Sequence, residues 1–156
     1  MNLPLLGASL AVAVLTFTDT TIAQDRAPRS SDSIVGNWNA PACISAGKIA
    51  RWNHEFLIEE TSLILRRRGG GTEGETWTYT VDSSKKPKQL TMIKLGLPDH
   101  QTGKPQKINA IYEQTDKEIR VAWLPGKNGS SLEERPTDMT STAENRAIVF
   151  VLTPQQ

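Results

Sequence analysis

The feature that most constrains this chain is a rhythm of short apolar runs that alternate at period two and never settle into a helical period. Thr76, Thr78 and Thr80 alternate with Trp77, Tyr79 and Val81. β-Branched and aromatic residues at this spacing mark a half-buried strand. Ile119, Val121 and Trp123 share one face of a second such run, Glu118–Leu124. Further strands are expected at Ile34–Ala40, around Phe56–Ile58, and at Leu63–Arg68, Lys88–Leu95, Gln106–Glu113 and Ala147–Leu152. Between them lie turn-forming stretches: Glu59-Glu60-Thr61-Ser62, Gly69–Gly74, Asp82–Pro87, Gly96–Pro105 and Gln114–Lys117. Pro41–Asn53 reads either as a loop or as a short helix over one barrel end, and Pro125–Arg146 as a long polar loop. Eight short strands joined mostly by short connections predict an all-β fold. An antiparallel up-and-down eight-stranded barrel suits them best, because closure removes the sheet edges. Its interior would hold side chains or one small ligand.

The N-terminus sets the expected route. Residues 3–17 are uncharged and largely apolar, too short for the ~20 residues of a spanning helix. With Thr21-Ile22-Ala23 behind them they read as a secretory signal peptide, residues 1–23. Removing 23 of the 156 residues, with Asp19 their only charge, leaves 133 residues carrying 18 cationic and 16 anionic side chains. No membrane span is then expected, and localisation is secreted or periplasmic. Residues 24–33 form a polar leader, 34–152 the barrel domain and 153–156 a tail.

Composition removes several functions. Near-neutral charge gives no electrostatic case for nucleic acid. One Cys, Cys43, forms no intrachain disulfide and reads as a small apolar residue. His54 and His100 stand apart, without ligand spacing, so neither metal nor other cofactor is expected. Glu59-Glu60 and Glu133-Glu134 are adjacent pairs that point opposite ways on a strand. The glycines of 69–74 lack the Lys-Ser/Thr of a phosphate loop, and no Gly-x-Ser-x-Gly elbow occurs. No catalytic residues are assigned.

Particular segments add a resemblance. Gly36-Asn37-Trp38 is similar to the Gly-x-Trp of lipocalins. Tyr79–Lys88, Ala110-Ile111-Tyr112-Glu113, Ile119–Trp123 and Glu134-Arg135-Pro136-Thr137 follow in order. Together they resemble a family of small secreted lipocalin-like domains abundant in planctomycete-type bacteria and uncharacterised in function. The family often has Cys where this chain has Ala122. The resemblance implies a barrel closed at one end by Gly36 and Trp38, with an Arg, here Arg135 or Arg146, stacked on the Trp. If the source is bacterial, Asn128-Gly129-Ser130 is a turn and not a glycosylation site.

Candidate ligand contacts are the strand aromatics Trp77, Tyr79, Tyr112, Trp123 and Phe150, which either fill a solid core or line a pocket. Asn109, Thr78 and Arg120 are the candidate polar groups. Arg66-Arg67-Arg68 and Lys85, Lys86 and Lys88 read as solvated hairpin ends, with Arg67 pointing opposite to its neighbours. The expected function is a monomeric, non-catalytic binding module. Its partner is a small apolar ligand in the barrel or a macromolecule at the loops. The alternative is an envelope inhibitor of a protease or lysozyme, inserting Pro125–Arg146.

Overall fold

A computed structural model describes residues 33–69, 73–96, 98, 103–126 and 134–155. The signal segment, most of the leader, His100, Glu133 and Asn128-Gly129-Ser130 lie outside the described residues. Eight strands follow in order: β1 (Gly36–Ser45), β2 (Lys48–Ile58), β3 (Ser62–Arg67), β4 (Glu75–Asp82), β5 (Lys88–Lys94), β6 (Lys107–Gln114), β7 (Ile119–Trp123) and β8 (Ile148–Pro154). Each pairs antiparallel with the next, and β8 returns to β1, so the sheet closes into an up-and-down barrel. No helix occurs among the described residues.

Alternation decides what fills it. Phe56 and Ile58 of β2, Leu63 of β3, Trp77 of β4, Leu90 and Met92 of β5 and Tyr112 of β6 all point inward and are buried. Ile119 and Val121 of β7 and Phe150 and Leu152 of β8 belong to the same interior cluster, as do Trp38 of β1 and Trp123 of β7. Successive side chains of a strand take opposite faces, so one apolar set per strand suffices.

The segment Pro41–Asn53 is neither loop nor helix. It forms the end of β1, a two-residue turn and the start of β2. Ala46 and Gly47 both have positive φ, 49° and 75°, and Ser45 faces Lys48 across them. This is the turn conformation that matches the twist of a two-residue hairpin. The expected tail is also shorter, because Thr153 and Pro154 extend β8 and the Gln155 N–H donates to Asn37 O at 2.9 Å.

The two barrel ends differ. One is closed by the chain before β1. Trp38, only 2% exposed, donates its Nε1 proton to Ile34 O at 2.9 Å. Gln114 Nε2 donates to Ser33 O at 2.8 Å, and Tyr79 Oη donates to Glu59 O at 2.6 Å. The other end carries the β1–β2, β3–β4, β5–β6 and β7–β8 connections, and the described residues leave it open.

Residues 134–147 of the β7–β8 connection are a strap on the outer wall. Ile111, Ala122 and Val149 form one outward row across β6, β7 and β8, continued by Ile44 of β1. Met139 packs on this second, smaller apolar cluster. The strap holds its own shape through reciprocal bonds. Thr142 N–H donates to Asn145 Oδ1 at 2.9 Å, and Asn145 N–H donates to Thr142 Oγ1 at 3.1 Å.

Candidate functional site

The interior near the closed end is solid. Ile34, Ile58, Leu63, Met92, Ile119 and Leu152 surround a void of about 10 Å³. That is roughly the room one water needs, and a wholly apolar lining offers water no partner. No ligand fits there without repacking the core.

The open end differs. A cleft of about 500 Å³ is lined by Trp52, His54, Leu65, Arg67, Glu73 and Glu75. Small-molecule sites commonly measure ~300–1,000 Å³.

Its aromatic wall comes from a bulge in β2. Ala40 faces His54 but Ala42 faces Arg51, so β2 carries one residue more than β1 over this stretch. Asn53 takes the left-handed conformation at φ 50°, which Asn tolerates better than most residues. Same-face neighbours on a regular strand stand roughly 6.7 Å apart. Here the Trp52 and His54 rings stack with centroids 4.4 Å apart and planes 28° from parallel. His54 Nδ1 is in hydrogen-bond contact with Trp52 O. A carbonyl only accepts, so Nδ1 is the donor in this contact. The wall continues inward. Trp52 meets Phe150 edge-on at 5.1 Å, and Phe150 stacks on Trp123 at 4.0 Å.

The arginine triplet divides as alternation requires. Arg66 Nε lies 2.7 Å and Arg68 Nε 3.8 Å from the two carboxylate oxygens of Glu55. Arg67 is the register partner of His54, lines the cleft and has no ion pair among the described residues. Lys94 is engaged by Glu75 at 2.6 Å and lies 5.7 Å from the centre of the Trp77 ring.

The residues singled out from sequence separate in space. Trp77, Tyr112 and Phe150 are at most 3% exposed and Trp123 is 8% exposed, so these four fill the barrel. Tyr79 lies at the closed end, its hydroxyl on the β2–β3 turn. Thr78, Asn109 and Arg120 alternate with inward residues and so face outward, away from any interior ligand.

Arg135 does not stack on Trp38. Its guanidinium lies on the outer wall and donates to Leu90 O at 3.0 Å, Thr91 Oγ1 at 2.9 Å, Asn109 Oδ1 at 3.4 Å and Ala110 O. The strap carries it there, and burial pushes its pKa down. Arg135 therefore pins the strap to β5 and β6. Cys43 is a free thiol facing the interior opposite Phe150, and burial pushes its pKa up.

Trp52 escapes the sequence reading because its segment looks irregular. The signal is present nonetheless: Trp52, His54, Phe56 and Ile58 alternate and extend the strand back past Asn53. Among the described residues no three His, Cys, Asp or Glu side chains group as a metal site.

The chain matches no protein-family model, no curated protein and no solved structure. Fold and site define it by their own geometry as a closed eight-stranded up-and-down barrel, packed solid near one end and with a cleft at the rim of the other.

Proposed function

We propose that this protein is an exported, non-catalytic binding module that takes a small ligand in the cleft at its open end. One observation carries the reading: the barrel interior is filled, and an aromatic-walled cleft opens at the rim of the other end. A void of about 10 Å³ near the closed end excludes a deeply buried ligand, and a cleft of about 500 Å³ at the other end admits one. Rigid strands β2, β3 and β4 hold the cleft walls, which favours recognition without large rearrangement. The ligand rests its apolar part on Trp52 and Leu65 and meets His54 and Arg67 with its polar part.

An envelope-protein partner is the second reading, favoured by the β1–β2 hairpin tip. Ile49 there is 81% exposed. Residues 134–147 are spread on the barrel, and this tip offers a protruding element beside the Pro125–Arg146 loop.

The test is the native mass of the protein purified from its own source. Excess mass of a few hundred daltons, lost on denaturation, is expected. Excess mass of protein size would establish the second reading. A bare chain that also fails to bind any member of a small-molecule library would overturn the first.

A further inference from the structure

The cleft combines a flat aromatic wall with one uncommitted guanidinium. Trp52 and His54 stack into a continuous face. Arg67, exposed and directly across from His54, stands beside it. The neighbouring cations already have carboxylate partners: Arg66 and Arg68 share Glu55, and Lys94 pairs with Glu75. Glu73 is the opposing carboxylate in the cleft.

The wider field favours Arg67 over Glu73. Folding gathers an excess of cations at one end of the barrel. Lys48, Arg51, Arg66, Arg67, Arg68 and Lys94 gather at the open end against Glu55, Glu73 and Glu75. The turns of the closed end carry Glu59, Glu60, Asp116 and Glu118 against Lys85, Lys86 and Lys117, so among the described residues the cationic excess lies at the open end. A cationic rim around a low-dielectric wall raises the local concentration of anions.

We propose that the cleft is built for a small aromatic anion, with its planar ring against Trp52 and His54 and its carboxylate, sulfonate or phosphate on Arg67. A guanidinium presents a planar fork of donors that matches such groups and also stacks beside a ring. This inference rests on the cleft being the binding site, and the experiment separates the two.

Two dyes share a ring system and differ in charge: 1-anilinonaphthalene-8-sulfonate and neutral N-phenyl-1-naphthylamine. Fluorescence titration of the purified protein with each gives two dissociation constants. The sulfonate is expected to bind with one-to-one stoichiometry and more tightly than the neutral amine. Arg67→Gln weakens the sulfonate by about tenfold or more and leaves the neutral amine unchanged, the size of a lost charge-assisted hydrogen bond. Arg67→Lys, which keeps charge without the fork, falls between them and serves if Arg67→Gln is poorly folded. Trp52→Leu weakens both dyes. Urea midpoints of all variants separate loss of site from loss of fold. Equal binding of both dyes, unaffected at Arg67 but lost at Trp52, overturns the anion inference and keeps the cleft. Failure of both dyes to bind wild-type protein overturns both.

Discussion

Phe150 is the ring on which the interior turns, and replacing it with alanine measures how far the aromatic chain holds the barrel. Phe150 is 0% exposed. It stacks on Trp123 at 4.0 Å, receives Trp52 edge-on at 5.1 Å and lies 6.3 Å from Phe56. Truncating a buried Phe to Ala costs about 3–5 kcal/mol. Each aromatic pair is worth ~0.5–1.5 kcal/mol beyond area. With two close pairs lost and β7 and β8 hydrogen-bonded across the gap, collapse is limited. A loss of about 4 kcal/mol is expected, or roughly 15 °C in Tm for a domain of this size. Phe150→Leu keeps most of the volume and costs about 1.5 kcal/mol. The assay is urea denaturation followed by tryptophan fluorescence, with near-UV circular dichroism reporting the order of Trp52 and Trp123. A loss under about 1 kcal/mol for Phe150→Ala, at unchanged denaturant slope, would refute the view that these rings form one packed column.

Three further outcomes are expected. Gly74→Ala places a Cβ 2.9 Å from Ile64 Cγ2 and 3.1 Å from Arg66 Cβ; it should lower stability by about 1–3 kcal/mol in urea melts through overpacking of β3. Ala46→Asn gives the hairpin an Asn-Gly turn at two positive-φ positions; it should raise the urea midpoint by about 0.5–1 kcal/mol equivalent, since Asn tolerates that conformation. The Asp138 carboxyl is held below its ordinary range, first by the Thr140 hydroxyl and then by the Thr140 N–H. A lowered folded pKa stabilises the fold above the unfolded value of about 3.9 and ceases to do so as pH falls through the folded value. Wild type should therefore exceed Asp138→Asn in urea midpoint near neutrality, and the gap should close below about pH 4.

Much of the strand order was legible because alternation is a local property. Trp77, Tyr79 and Val81 occupy one face whatever surrounds them, and so do Ile119, Val121 and Trp123. Arg67 points away from Arg66 and Arg68 for the same reason. The β1–β2 hairpin was harder to see. Ala-Gly is a weaker turn signal than Asn-Gly, and the bulge at Asn53 breaks the pairing that would mark β2.

By itself, then, the sequence determined the all-β class, the succession of strands and which side chains share a face. Backbone sterics and side-chain period act over two or three residues and need no partner. Only the tertiary structure decided the rest. Closure set Trp77, Tyr112 and Phe150 into a packed interior, because their volumes meet across the barrel and leave no room for a ligand. The strap took Arg135 to the outer wall, where carbonyls of β5 and β6 accept its protons. A bulge brought Trp52 onto His54, and pairing of β2 with β3 set Arg67 beside them. These contacts join residues distant along the chain, and they depend on register and closure, which no local pattern encodes.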